Sequence, residues 1–202
     1  EWLRSKGNKE TTLSFQFRTL RAVFNRAIEE NVVSKEKNPF EQFKVSKFNT
    51  KTKKRALTKE DMMKIITTET IQATTLRTFT RDVFTFAYLC GGISFVDMAN
   101  LTLDNIYKER IRYIRQKTHG EINLKLCDQA KEIIEKYISY REKATYLFPI
   151  LDARLHKTPM QKKNRVRKVL ARINKELKVL ASELEIKTDV TTYVAKHHTI
   201  SI

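Results

Sequence analysis

The sequence predicts a mainly α-helical protein with one small β-hairpin sheet. Three observations carry that expectation. Apolar residues recur at three- and four-residue steps over most of the chain, the pattern of helices with one buried face. One stretch, Ile106 to Leu126, alternates charged and apolar residues instead, which is the period of a strand. Glycine and proline are scarce, four and three among 202 residues, so few long irregular stretches are expected.

Thr11 to Asn31 reads as an amphipathic helix with Leu13, Phe17, Leu20, Phe24, Ala27 and Ile28 on one stripe. Arg18, Arg21 and Arg26 lie off that stripe, and Asn38-Pro39-Phe40 breaks the pattern. Thr58-Lys59-Glu60-Asp61 resembles a capping box with Asp61 in place of Glu or Gln, opening a helix to about Thr67. A longer apolar helix is expected from Leu76 to Cys90, stopped by Gly91-Gly92. Ser94 to Leu101 reads as a short helix burying Phe95, Met98, Ala99 and Leu101.

Arg110-Ile111-Arg112-Tyr113-Ile114-Arg115 and Glu121-Ile122-Asn123-Leu124-Lys125-Leu126 form the hairpin, turning at Thr118-His119-Gly120. Ala130 to Tyr140 returns to helix, with Ile133, Ile134, Tyr137 and Ile138 on one side. Lys143 to Met160 is a loop anchored by Tyr146-Leu147-Phe148-Pro149-Ile150. Lys162 to Ile186 is a long basic helix whose stripe is Val166, Val169, Leu170, Ile173, Leu177, Leu180 and Leu184. A last helix begins near Asp189 or Thr191.

Charge narrows the function. Forty Lys and Arg against 23 acids give a net charge of +17. A charge of that size repels itself unless a polyanion is near, so nucleic acid is the first candidate partner and an acidic membrane surface the second. No apolar run approaches ~20 residues, so no membrane span is expected. Lys44 to Arg55 carries six basic residues and no acid, and reads as a basic linker at 44–57 between two domains. An ordinary solvated loop is the bland alternative. Cys90 and Cys127 are expected to be buried free thiols in a reducing compartment.

Several segments, taken in order, resemble the tyrosine recombinases of the phage-integrase family, especially integrases of mobile elements in gut anaerobes. Arg18 to Ala27 is similar to the last large helix of their core-binding domain, and Asn38-Pro39-Phe40 to the turn after it. Ser94-Phe95-Val96-Asp97-Met98-Ala99-Asn100-Leu101 is similar to the segment with the first catalytic arginine. Arg115-Gln116-Lys117-Thr118 resembles the hairpin with the catalytic lysine, and Tyr193-Val194-Ala195-Lys196-His197 the box usually read H-x-x-R-H.

The resemblance implies part of a helical (SAM-like) core-binding domain at 1–43 and a catalytic domain at 58–202 without its nucleophile segment. It implies DNA cleavage and rejoining through a phosphotyrosine link, in which fixed cations meet the charge that builds on the phosphate. No metal or other cofactor is implied. Lys117 corresponds to the general acid toward the leaving 5′-oxygen, or else is a surface hairpin lysine. Tyr193 stands where the family has His and would donate a hydrogen bond to the phosphate, or else is a packing residue. His197 is chiefly structural, and Asp97 braces the short helix.

Two positions depart from the family. Ser94 occupies the first-arginine position without a charge, and Arg115 is the candidate replacement, expected beside Lys117 on one strand face. Lys196 occupies the second-arginine position, keeping the charge but not the bidentate fork. No tyrosine is assigned as nucleophile: the chain ends six residues after Lys196, and Tyr88, Tyr113, Tyr137 and Tyr146 read as core or hairpin residues. Recombination by the chain as written is therefore not expected.

Double-stranded DNA is the expected partner, held on three basic surfaces. These are Arg18, Arg21 and Arg26; the linker residues Lys51, Lys53, Lys54 and Arg55; and Lys162, Lys163, Arg165, Arg167 and Lys168 on the long helix. Family members act as tetramers on DNA, while this chain alone is expected to be a monomer. The expected location is the bacterial cytoplasm, on the nucleoid. The alternatives are a non-catalytic DNA-binding relative and a helical protein that binds an acidic partner.

Overall fold

The computed structural model describes residues 1–51, 56–68, 74–139 and 145–195. The chain divides into two compact units, Glu1–Lys54 and Arg55–Ile202. In the first, helix α1 (Trp2–Ser5) precedes α2 (Glu10–Glu29), and short 3₁₀ turns follow at Lys35–Lys37 and Val45–Lys47. Its core is Leu13, Phe40, Val45 and Phe48, with Phe17, Phe24 and Phe43 packed against them. Phe17 stacks on Phe43 at 4.8 Å and on Phe48 at 5.4 Å between ring centroids.

Two expectations for this unit change. Leu20 of the expected stripe is 49% exposed, while Leu13, Phe17 and Phe24 of the same stripe meet the aromatic cluster. The segment from Lys44 is not free linker as far as Phe48, since Val45 and Phe48 are buried in the core.

The second unit is mainly helical, with one small sheet. Thr58 caps α3 (Lys59–Thr67) by accepting the Asp61 amide at 3.0 Å. Helix α4 (Thr75–Leu89) ends in a double turn: the Gly92 amide reaches the Ala87 carbonyl at 2.8 Å and the Gly91 amide reaches that of Tyr88 at 3.2 Å. Gly91 and Gly92 take φ of 66° and 74°, which side chains resist. Helix α5 (Phe95–Asn100) follows.

Strands β1 (Ile106–Tyr107), β2 (Arg110–Ile114) and β3 (Glu121–Lys125) form an antiparallel sheet in the order β1-β2-β3. The expected hairpin is β2–β3. Strand β1 is additional, joined through Lys108 and Glu109 at φ 42° and 61°, a turn usually built with Asn or Gly.

Helix α6 (Asp128–Ser139) and α7 (Pro159–Glu183) complete the unit. Helix α7 starts earlier than its basic run suggests. Thr158 and Gln161 form a full capping box, with Pro159 at the first helical position. Its stripe is buried at Val166, Val169, Ile173, Leu177 and Leu180, against α4 and α5. Tyr146, Leu147, Phe148 and Ile150 anchor the connecting loop as expected, while Pro149 stays exposed. No described helix is long and apolar enough to cross a membrane.

Candidate functional site

The site is built where the start of α5 meets the β2–β3 turn. Ser94 is the N-cap of α5, its hydroxyl accepting the Asp97 amide at 3.1 Å. The same hydroxyl donates to Asp97 Oδ2 at 2.7 Å. The other carboxylate oxygen, Oδ1, accepts the backbone N–H of Gln116 at 2.8 Å. Asp97 is only 7% exposed, so these donors replace the water its charge has lost. Asp97 therefore braces the hairpin turn as well as its own helix.

The turn departs from the expected strand geometry. Strand pairing ends at Ile114 and Glu121. The Arg115 amide then meets the Gly120 carbonyl at 3.0 Å, and the His119 amide returns to the Arg115 carbonyl at 2.9 Å. Arg115 and Lys117 thus do not share a strand face. The left-handed His119 (φ 54°) closes the loop, and Asp97 takes the Gln116 amide out of the ladder. Arg115 continues the inward side of Ile111 and Tyr113 and is half-buried, while Lys117 is exposed on the turn.

Electrostatics tie Tyr113 to the same place. Burial pushes its phenol up to about 12, the Asp97 charge adds to this, and the charge of Arg115 pulls the other way. Phenol, guanidinium and carboxylate therefore gather beside Ser94. An open groove of about 860 Å³ runs along the adjoining sheet, lined by Asp97, Tyr113 and Gln116. Asp104 and Glu121 also line it, together with Arg110 and Arg112, and Arg112 pairs with Glu121 at 3.2 Å.

Tyr193 is 62% exposed, in a turn fixed by the Thr192 amide donating to Asn174 Oδ1 at 3.0 Å. Val194 and Ala195 are buried behind it. Lys196 and His197 lie outside the described residues, as do Lys53, Lys54 and Arg55. Tyr113 and Tyr146 are buried, and Tyr88 and Tyr137 pack against the core.

The basic surfaces differ in how much of their charge stays available. Lys163, Arg167 and Lys168 on α7 are exposed. Lys162 is half-buried, its ammonium 5.8 Å from the Tyr146 ring. Arg165 donates Nε to the Ile150 carbonyl at 3.0 Å, so part of it ties the loop to the helix. On α2, Arg18, Arg21 and Arg26 are exposed, and Arg18 donates to Ser14 Oγ at 2.9 Å. Arg26 pairs with Glu30 at 2.8 Å, which weakens its pull on a phosphate. Lys51 is exposed.

Sequence reasoning missed a buried charge cluster. Asp82 is 2% exposed and accepts Lys136 Nζ at 2.6 Å, the Tyr137 hydroxyl at 2.8 Å and Arg81 Nη2 at 3.0 Å. Burial, then the Asp82 charge, pushes the Tyr137 phenol well above the ordinary tyrosine range. The available signal was an acid inside the apolar run of α4, just before Val83 and Phe84. Cys127 is also exposed, against expectation, because it lies ahead of α6 and only Cys90 enters the core. Among the described residues no His, Cys, Asp and Glu group is arranged to hold a metal.

No protein-family model and no curated protein matches the sequence. Solved structures match the fold. A λ integrase dimer bound to a COC′ core site superposes with TM-score 0.66 at 17% identity, over 94% of this chain and 65% of that one. λ integrase bound to DNA gives TM-score 0.69 at 16% identity, over 96% and 65%. The Tn1549 transposon integrase in complex with a circular intermediate DNA gives 0.67 at 16%, over 98% and 68%. The chain thus spans about two thirds of each of these integrase chains, and it has their fold.

Proposed function

We propose that this chain is a double-stranded DNA-binding core of a tyrosine-type recombinase, working without a metal or other cofactor. The observation that carries the proposal is the braced turn: Lys117 sits on a loop held to the start of α5 through Gln116, Asp97 and Ser94. A general acid must be held in place relative to the phosphate, and such bracing supports that role. Arg115 supplies the cation that Ser94 lacks, Tyr193 donates to a phosphate oxygen, and Lys196 and His197 complete the site. Lys162, Lys163, Arg165, Arg167 and Lys168, with Arg18, Arg21, Arg26 and the 51–55 stretch, hold DNA phosphates. The integrases sharing the fold include a tetramer on a Holliday junction, and the complete assembly of this protein on DNA is proposed to be a homotetramer. DNA binding would place it on the nucleoid of a bacterial cell.

The uncharged Ser94, already committed to Asp97, favours a second reading, a DNA-binding module that does not cleave. A nicked suicide duplex separates the two. A covalent protein–DNA adduct that Arg115→Ala and Lys117→Ala each abolish establishes the recombinase. An adduct untouched by Arg115→Ala removes that residue from the mechanism. Binding with no adduct, from the longest product of the reading frame, leaves the module. Either form should lose roughly 10³–10⁵-fold in affinity between 50 and 200 mM salt if about 6–10 phosphates are contacted. A flat salt response would contradict both.

A further inference from the structure

A groove of about 620 Å³ opens between the start of α4, α6 and one flank of α7. Its floor is apolar: Leu76 and Phe79 of α4, Pro149 and Val169. Leu76 remains 40% exposed there. The cations Lys136, Arg165 and Arg172 stand around this floor, and among the described residues no acid lines it. Two of the three are held in place, Arg165 by the Ile150 carbonyl and Lys136 by Asp82.

We propose that this groove docks an acidic amphipathic helix of a partner protein. Apolar side chains of the helix would cover the floor, and its carboxylates would pair with Arg165 and Arg172. The charge rejects basic segments, and guanidinium forks suit carboxylates. The apolar floor argues against a nucleic-acid occupant, since a duplex backbone brings phosphates but nothing to cover Leu76 and Phe79. The volume falls within the roughly 300–1,000 Å³ of ligand pockets, which suits the few anchors of a helix laid in a groove. This docking goes beyond the proposed DNA function; Arg165 is common to both, so a bound duplex would compete with the helix for it.

The test uses the 202-residue chain and a fluorescein-labelled helical peptide with leucines along one face and glutamates elsewhere. A scrambled peptide of the same composition and a DNA duplex are the controls. The Leu76 and Val169 methyl signals should shift with the amphipathic peptide. Leu76→Glu and Arg172→Glu should each weaken peptide binding about tenfold, with duplex affinity of Leu76→Glu unchanged. Leu76→Ala, a milder change at a part-exposed site, should weaken it in the same direction. Equal binding of the scrambled peptide, the same methyl shifts with duplex, or no shift at all would each overturn the proposal.

Discussion

The Asp97 carboxylate and the Gln116 amide, 19 residues apart in sequence, meet at 2.8 Å. This single bond fixes the β2–β3 turn to the start of α5, and the other carboxylate oxygen is fixed by Ser94. Asp97→Ala should therefore cost roughly 2–3 kcal/mol, the range for losing hydrogen bonds to a charged group. Urea unfolding reads the stability, and amide exchange at Gln116 reads the turn. Unchanged exchange at Gln116 would mean that something else holds the turn.

Asp82 should be the more damaging position. Its removal leaves Lys136, Arg81 and the Tyr137 hydroxyl facing one another without their shared acceptor. Asp82→Ala is expected to cost about 3–5 kcal/mol, as for breaking a buried ion pair from one side. Asp82→Asn keeps the shape and should cost less. Equal unfolding midpoints for wild type and Asp82→Ala would refute this account.

Sequence periodicity made the helices legible because burial there follows the backbone repeat. Ile173 and Leu177 are fully buried on the stripe assigned to them, and Thr58 caps where expected. What was not legible depends on residues distant in sequence. Nothing local to Asp82 marks Lys136 as its partner, and nothing local to Gln116 reveals that Asp97 will capture its amide. The Arg115–Lys117 geometry failed for that reason: alternation describes a strand until an outside acceptor bends it. The Lys108-Glu109 turn was hidden because its residues are not the usual turn formers.

The two thiols should separate cleanly by reactivity. Burial pushes Cys90 up to about 12, whereas Cys127 is exposed. The thiolate is the reactive form, so at pH 8 a disulfide reagent should titrate one thiol quickly and the second only after unfolding. Two fast thiols in the native protein would contradict the burial of Cys90.

Tyr113 should make the protein sensitive to alkali. Its folded pKa is raised from 10 to about 12, chiefly by burial. The unfolded chain therefore releases this proton first, and the stability tied to the neutral phenol is complete below pH 10 and lost as pH rises to about 12. Absorbance at 295 nm should show a tyrosine lagging in the native protein, and Tyr113→Phe should remove part of the alkaline loss of circular dichroism. A tyrosine titration identical in native and unfolded protein would rule this out.

The two apolar clusters have no residue in common, one gathered on Leu13, Phe40, Val45 and Phe48 and the other on the helices and sheet of the second unit. Cooperativity follows shared burial, and here burial is partitioned. The small aromatic cluster has few buried side chains to resist opening, so its amides should exchange at a lower free energy than those around Ile173.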